Sequence, residues 1–260
     1  DEMVVEEILR NKSFNNSNKI GRNIKEELII DSYIGDVLKL VDVDRIKQHK
    51  FKITMDLGNG MQALVAPELA KRLGCTVITL NGTIDGNFPG RGSEPTPANL
   101  SLLSSIARET KSDLGAAYDG DGDRSIFCDE QGLIHWGDKT GTLLARYLIT
   151  KKHHKAKIVC PINTTNVLTK IAQDNDSQVI HTKVGSVEVS REMVKQNAFI
   201  GMEENGGFMY GILNQVRDGA MTTALMLDLL ASEEKPLSEL LSSLPLVYQY
   251  KSKFHCSDIG

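Results

Sequence analysis

The chain has 260 residues, of which 40% are hydrophobic and 25% are charged, and its formal net charge is −4. This length suits two ordinary domains, and the composition is typical of a soluble globular protein. An acidic balance argues against general nucleic-acid binding, and no apolar run approaches the ~18 residues of a membrane span, so we expect neither partner. The four cysteines are scattered along the chain, and the first residues lack the basic stretch followed by an apolar stretch that is typical of a signal peptide. Both observations favour the cytoplasm.

The first half of the chain alternates strand and helix patterns. Residues 1–25 are polar and are interpreted as a short helix and a linker, and Gly74 is expected to stop the second helix of the unit that follows. Thr96 and Pro97 are interpreted as the cap and first residue of the third helix. The predicted helices span 34–47, 63–73 and 96–110, and the predicted strands span 51–56, 75–80, 113–118 and 125–129.

The second half repeats this rhythm at a distance of roughly a hundred residues. Two similar consecutive domains are therefore predicted, of the α/β class, each with a mainly parallel mixed sheet and helices on both faces. After them come a polar segment with a short helix over 232–245 and a strand-like alternation over 247–256. The predicted helices span 137–148, 164–172, 187–196 and 217–231, and the predicted strands span 156–161, 178–181 and 199–202.

The segment 119–124 has the sequence Asp-Gly-Asp-Gly-Asp-Arg and carries the strongest chemical signal. Carboxylates at Asp119, Asp121 and Asp123 can turn inward together, and at roughly 4 Å each pair repels by about 4 kcal/mol at an effective dielectric of 20. A divalent cation removes this repulsion, and all-oxygen ligation suits Mg²⁺, Mn²⁺ or Ca²⁺ better than zinc or copper. Arg124 adds a cationic fork suited to phosphate, so the segment predicts a Mg²⁺ site that handles phosphate.

Two other interpretations of this segment are weaker. One is a solvated turn between two strands. The other is an EF-hand loop, because Asp119, Asp121, Asp123 and Glu130 have the spacing of ligand positions 1, 3, 5 and 12. However, Arg124 stands where that loop needs glycine, and the flanking sequence predicts strands rather than helices.

A second segment, 202–207, combines Glu203 and Asn205 with glycines after an apolar strand. Carboxylate and amide groups on such a loop can hold sugar hydroxyls in paired hydrogen bonds. The alternative is a polar hairpin turn with Asn205 and Gly206 at its tip.

Three further segments have a structural and a functional interpretation. The proline-rich stretch 88–97 is a rigid loop, favoured as a structural connector. Gly185 and Ser186 open a helix whose free amides can accept an anion, although an ordinary helix start explains them equally well. Residues 217–219 head another helix, with Asp218 as a candidate cap. None of the six histidines is assigned a catalytic role.

In this order and spacing, the segments resemble the α-D-phosphohexomutases, the phosphoglucomutase/phosphomannomutase family. Residues 119–124 resemble the metal-binding loop of that family, and 201–207 resemble its sugar-recognition loop. Residues 88–95 and 217–219 match further family segments, and the resemblance extends from about 34 to 231.

The resemblance implies an enzyme mechanism. Family members carry a phosphoserine, held through Mg²⁺, that donates its phosphoryl group to a hexose 1- or 6-phosphate by way of a bisphosphate. By this analogy Asp119, Asp121 and Asp123 are metal ligands and Arg124 is a catalytic residue that contacts the phosphoryl group. The substrate-binding residues implied are Glu203 and Asn205 on the sugar hydroxyls, together with Gly185 and Ser186.

The chain also departs from the family pattern, because it has neither the Ser-His-Asn-Pro loop nor the phosphate-binding loop rich in Arg, Ser and Thr. We therefore expect it to lack mutase activity in isolation and to need domains 1 and 4 of the same enzyme, with hexose phosphate as substrate. The resemblance divides the chain into the end of domain 1 and linker (1–25), domain 2 (26–132), domain 3 (133–245) and the start of domain 4 (246–260).

Two substitutions within the pattern affect the expected chemistry. Asn163 falls where some members have lysine, and Asn205 stands where many relatives have serine, so the sequence does not choose among glucose, mannose and glucosamine phosphates. The alternatives are a non-catalytic metal and sugar-phosphate binding module, or a metal-dependent phosphatase. The phosphatase would need a nucleophilic Asp in a strand-end motif, and the sequence has none.

Overall fold

Two α/β units follow one another in the computed structural model, which describes residues 2–14, 21–152 and 155–248. The helices are α1 (Glu2–Asn11), α2 (Ile29–Leu38), α3 (Val43–His49), α4 (Ala66–Arg72), α5 (Ser101–Glu109), α6 (Gly137–Lys151), α7 (Asn166–Asp174), α8 (Ser186–Gln196), α9 (Gly219–Glu233) and α10 (Leu237–Ser242). The strands are β1 (Lys52–Asp56), β2 (Thr76–Leu80), β3 (Leu114–Tyr118), β4 (Ser125–Cys128), β5 (Ile134–His135), β6 (Lys157–Pro161), β7 (Gln178–Thr182), β8 (Ile200–Met202) and β9 (Phe208–Tyr210).

The two sheets have the same strand order. In the first sheet, β1 lies between β2 and β3 with parallel pairing, and β4 and β5 extend the sheet in antiparallel fashion. In the second sheet, β6 lies between β7 and β8, again in parallel, and β9 is antiparallel to β8. The predicted fold class, two similar consecutive α/β domains with mainly parallel mixed sheets, is confirmed.

Helix α9 lies between the two units. It packs against α3, α4 and β4 of the first unit and against β9 of the second. Because both sides are covered, 13 of its 15 residues are buried and its apolar residues surround the whole helix instead of forming one stripe. A single hydrophobic cluster, from Ile34 through Phe127 to Leu244, therefore runs through both units.

A buried polar network fixes the same junction. The Asp228 carboxylate is fully buried on α9 and accepts hydrogen bonds from the Asp42 amide and the Tyr147 hydroxyl, each at 3.0 Å. It also forms an ion pair of 2.7 Å with Lys152, which in turn donates to the Leu40 carbonyl oxygen. A buried carboxylate needs such partners, and these come from α6 and from the chain entering α3.

Several predicted boundaries are wrong, for local reasons. The helix predicted over 34–47 is two helices, α2 and α3, because the Asp42 carboxylate caps a new start by accepting from the Arg45 amide. The helix predicted from Thr96 begins at Ser101, since the Asn99 side chain binds the backbone of the preceding turn instead.

The remaining predictions differ in smaller ways. The helix predicted over 63–73 is a 3-10 helix, Met61–Leu64, followed by α4, and Gly74 ends α4 with a left-handed φ of +80°. Strands β5 and β9 were not predicted, and α9 begins at Gly219 with Asp218 as its cap. Most of the strand predicted over 247–256 lies outside the described residues. No helix in the described ranges has the length and apolar character to cross a bilayer.

Candidate active site

The loops that follow the parallel strands meet at one edge of each sheet. This edge is where open α/β sheets form their ligand sites. In the first unit the acidic segment 119–124 follows β3, and in the second the segment 203–207 follows β8. The structure thus places both sequence-predicted loops at equivalent positions of the two sheets.

The three aspartates of the acidic loop converge. Asp119, Asp121 and Asp123 each offer a carboxylate oxygen, and these atoms lie within 4.8 Å of one another. Asp119 is buried, Asp123 is half-buried and Asp121 is exposed. In residues 2–14, 21–152 and 155–248 this is the one group of three or more His, Cys, Asp or Glu side chains close enough to share a metal ion. The flanking strands β3 and β4 argue against the EF-hand interpretation, which requires helices.

Neighbouring elements hold the backbone of this loop. Gly122 has a φ of +83°, a conformation that glycine adopts without strain. Its carbonyl oxygen accepts from the Gln62 side-chain amide at 2.8 Å and from the Gly219 amide, at the start of α9, at 3.2 Å. The loop is therefore attached both to its own unit and to the helix between the units.

The residues fit a divalent cation. The donors are all carboxylate oxygens, as Mg²⁺ prefers. Within the described part of the chain, Asp123 Oδ1 is buried and accepts no hydrogen bond, and it lies 3.6 Å from Arg124 Nε. A buried, hydrogen-bond-free carboxylate oxygen is costly unless a cation lies nearby.

Arg124 is the last residue of the acidic loop and contacts the first, Asp119. Its Nε donates to Asp119 and its backbone amide donates to the other Asp119 oxygen at 3.0 Å, while its Nη atoms contact Glu94 at 2.7 Å. Burial raises the pKa of Asp119, and the hydrogen bonds from Arg124 oppose this shift. Burial disfavours the charged form of Arg124, but the contacts with Glu94 and Asp119 outweigh burial and raise the pKa of Arg124. The contact with Arg124 in turn lowers the pKa of Glu94.

The proline-rich loop has a structural role through Arg91. The Arg91 guanidinium donates to the Asp56 carboxylate at 2.9 Å and to the Tyr118 carbonyl oxygen at 2.5 Å, with both charged side chains almost fully buried. It therefore joins the ends of β1 and β3, as a structural connector would. Glu94, from the same loop, reaches Arg124 instead.

The predicted sugar loop is a tight hairpin between β8 and β9. The Glu203 amide donates to the Gly207 carbonyl oxygen at 2.8 Å, and Asn205 Oδ1 accepts from the Gly207 amide at 3.2 Å. Gly206 has a φ of +94°. Residues 203–207, here called the Glu203 hairpin, thus have the turn geometry of the structural alternative, while the Glu203 carboxylate lies buried beside the acidic loop.

The acidic loop and the Glu203 hairpin touch each other. The Ser125 amide donates to the Gly206 carbonyl oxygen at 3.1 Å, and a β-bridge joins Arg124 to Gly207. The Arg217 side chain adds a second link, since it contacts Asp123 at 2.5 Å and Glu203 at 3.0 Å. The sequence indicated 217–219 as a helix start and as one of the segments that carry the family resemblance, but nothing in the local pattern indicated that Arg217 would reach both loops.

Gly185 and Ser186 occupy the outer side of this edge. They follow β7, which β6 separates from β8. Gly185 precedes the first helical residue of α8, and in the described chain no side chain caps this helix start. Its first amides are thus available to an anion, as the sequence suggested.

One residue that supports this group of loops was not recognised from the sequence. Asp138, in the first turn of α6, accepts from the Thr165 amide at 3.0 Å through its side chain, and its own amide donates to the Glu204 carbonyl oxygen at 3.0 Å. It holds the Glu203 hairpin against α6 and the loop after β6. This role depends on residues far apart in sequence.

Comparisons with known proteins agree with this geometry. The family model for "Phosphoglucomutase/phosphomannomutase, alpha/beta/alpha domain II" matches residues 31–132, and that for domain III matches 136–248. The chain is 42% identical over 88% of its length to the phosphoglucosamine/phosphogalactosamine mutase of Sulfurisphaera tokodaii. It is 40% identical over 98% of its length to the phosphoglucomutase/phosphomannomutase of Thermococcus kodakarensis. It covers 50% and 56% of these relatives, so the chain spans about half their length.

A solved structure gives the same result for the fold. A phosphoglucomutase/phosphomannomutase family protein of Burkholderia thailandensis superposes with a TM-score of 0.84 at 26% identity, over 94% of this chain and 52% of that one. Fold and loops define a pair of consecutive α/β/α domains from one class of enzymes. The chain belongs to the phosphoglucomutase/phosphomannomutase family, the α-D-phosphohexomutases, which confirms the resemblance seen in the sequence.

Proposed function

We propose that this chain supplies the metal and sugar loops of a phosphohexomutase. The enzyme would interconvert hexose 1-phosphate and hexose 6-phosphate through a phosphoserine held by Mg²⁺ and a bisphosphate intermediate. The observation that carries the proposal is the direct contact between the loop that carries the three converging aspartates and the Glu203 hairpin, made by Arg124 with Gly207. A hexose phosphate carries a phosphate group next to a sugar ring. Two adjacent loops, one for the phosphate and one for the sugar, match this arrangement.

In this proposal Asp119, Asp121 and Asp123 hold Mg²⁺. When bound, the ion supplies charge neutralisation at phosphate oxygens. The unbonded Asp123 Oδ1 supports the assignment, as does the buried position of Asp119 at the end of β3.

Arg124 contacts the transferred phosphoryl group. Its present partner Glu94 has a side chain that is 59% exposed, so this side of the Arg124 guanidinium faces the solvent from which a phosphate would approach. Phosphate oxygens can therefore take the place of Glu94 on the Arg124 Nη atoms, while Asp119 continues to orient the guanidinium through Nε.

Glu203 and Asn205 bind sugar hydroxyls. Asn205 Oδ1 already accepts from the Gly207 amide, which leaves the side-chain NH₂ group as the donor to the sugar. Gly185 and Ser186, at the start of α8, offer amides to the phosphate at the other end of the substrate.

The remaining parts of the site would come from domains 1 and 4 of the same enzyme. The two family models at 31–132 and 136–248 support the assignment of 26–132 to domain 2 and 133–245 to domain 3. Residues 1–25 and 246–260 would then belong to the flanking domains, and the cytoplasmic location stays a prediction.

The test is a set of mutase assays on the longer protein that contains this chain, with glucose, mannose and glucosamine 1-phosphates in parallel. We expect turnover with at least one of them, and a loss of about 100-fold or more in Asp121→Asn, because a metal ligand is removed. Asp36→Asn, which alters an exposed surface pair with Lys39, is the matched control and should keep full activity.

Wild-type activity in Asp121→Asn would contradict the metal assignment. Binding of hexose phosphate without turnover of any of the three would favour the non-catalytic binding module. The 260-residue chain alone should show no turnover, and measurable turnover would refute the need for the other domains.

A further inference from the structure

Arg217 has a fixed backbone position. It immediately precedes Asp218, whose amide donates to the Phe208 carbonyl oxygen at 3.1 Å and whose carboxylate accepts from the Met221 amide at 2.9 Å. The Tyr33 hydroxyl, on α2, also donates to the Asp218 carboxylate at 2.6 Å. The backbone of residue 217 is therefore fixed in the segment between β9 and α9, and only its side chain can change its contacts.

The guanidinium divides its N–H groups between two carboxylates. Nη2 lies 2.5 Å from Asp123 Oδ2, in the acidic loop, and Nη1 lies 3.0 Å from Glu203 Oε2, in the hairpin. The side chains of Arg217, Asp123 and Glu203 are 20%, 26% and 6% exposed. At this burial, solvent and salt screen the contacts much less than on the surface.

The hairpin makes room for this side chain. A Cβ on Gly207 would lie 2.3 Å from Arg217 Cδ and 3.3 Å from the Glu203 carboxylate. Glycine at 207 thus lets the Arg217 stem pass along the hairpin to reach Asp123.

We propose that Arg217 is a positioning residue that couples the metal loop to the sugar hairpin. The inference rests on the proposed functions of these two loops. Arginine suits the task because its planar fork presents two nitrogens to two carboxylates at once, whereas the lysine ammonium is a point charge. Since the two contacts share one cation, a change at Glu203 is felt at Asp123, and the effect is reciprocal.

The coupling has a definite sign. When Glu203 loses its charge, Arg217 keeps Asp123 as its carboxylate partner at this junction, and its positive charge is no longer shared. The positive charge of Arg217 then acts more strongly on Asp123, which is a metal ligand in this proposal, so a divalent cation binds less tightly. A substitution in the sugar hairpin should therefore weaken metal binding, although Glu203 is not among the three converging metal ligands.

The experiment is a double-mutant cycle with Mn²⁺ as the probe, measured by isothermal titration calorimetry on the 260-residue chain. The proteins are wild type, Glu203→Gln, Arg217→Met and the double variant. We expect Glu203→Gln to raise the Mn²⁺ Kd by about 5-fold when Arg217 is present, and by less than about 1.5-fold when it is replaced by Met. Circular dichroism confirms that each variant is folded.

Two further variants complete the design. Arg217→Lys keeps the charge but not the fork, so Glu203→Gln should change the Kd by less than about 2-fold in that background. It also serves if Arg217→Met does not fold. Arg72→Met is the matched control, because Arg72 also joins two carboxylates, Asp31 and Glu68, on the exposed surface, and it should leave the Kd unchanged.

The outcomes separate the inference from the proposed function. If Glu203→Gln has the same effect with and without Arg217, or none at all, the coupling is refuted while the metal site stands. If the wild-type chain binds no Mn²⁺, the metal site is contradicted and the coupling with it.

Discussion

The loop between β3 and β4 and the loop between β8 and β9 occupy the same place in their sheets. Each connects the third parallel strand to an antiparallel neighbour, over 119–124 in the first unit and 203–207 in the second. The first carries three converging carboxylates, and the second is a hairpin with one buried carboxylate. The repeat therefore fixes where a site forms, while the side chains on each copy decide its chemistry.

The two loops also differ in how they are held. The acidic loop is attached through the Gly122 carbonyl oxygen to Gln62 and to the start of α9. The Glu203 hairpin is held by close backbone contact with Ser125 and with the head of α6. Because these supports come from both units, the integrity of the junction should decide whether the loops stay together.

The largest expected effect comes from breaking the junction at Asp228. Asp228→Ala leaves Lys152, Tyr147 and the Asp42 amide without their shared acceptor. We expect a loss of about 3–5 kcal/mol in the free energy of unfolding, measured by urea denaturation of the 260-residue chain. Tyr147→Phe removes only the hydroxyl and leaves Lys152 and the Asp42 amide on the carboxylate, so it should cost about 1 kcal/mol. Equal losses in the two variants would show that the network does not act through the carboxylate.

The next effect tests the acidic loop alone. At a Mg²⁺ concentration of about 100 times the Kd, binding should stabilise the folded chain by about 2.7 kcal/mol, seen as a rise in Tm. Asp121→Asn should abolish this rise without lowering the Tm in the absence of metal, because Asp121 is exposed. A rise that survives in Asp121→Asn would place the ion elsewhere.

The smallest effects compare Gly207, in the Glu203 hairpin, with Gly137, which lies against it. A Cβ at Gly137 would lie 2.2 Å from the Gly206 amide nitrogen, whereas a Cβ at Gly207 would meet the flexible Arg217 side chain. Backbone cannot move aside as a side chain can, so Gly137→Ala should cost about 1–3 kcal/mol of unfolding free energy and Gly207→Ala less. Chemical denaturation of both variants measures the difference. The reverse order would mean that Arg217 is held more rigidly than the hairpin backbone.

Sequence reasoning succeeded where the signal was local. The apolar runs predicted seven of the nine described strands in the right order, and the spacing of Asp119, Asp121 and Asp123 predicted that their carboxylates converge. Sequence reasoning failed where a side-chain hydrogen bond interrupted or delayed a helix that the apolar periodicity predicted. The Asp42 cap split one predicted helix, and the Asn99 side chain delayed the start of α5.

The sequence by itself determined the fold class and the converging carboxylates, because periodicity and residue spacing act over a few residues. It indicated the family through the resemblance of its loops. Only the tertiary structure decided that the acidic loop and the Glu203 hairpin are in contact. Residues 123, 203 and 217 lie on three separate segments, and their contact depends on how two sheets pack around α9. Such contacts follow from the burial of a shared core, and no local pattern encodes them. The acidic loop that the sequence indicated is thus one of two loops that the Arg217 side chain contacts.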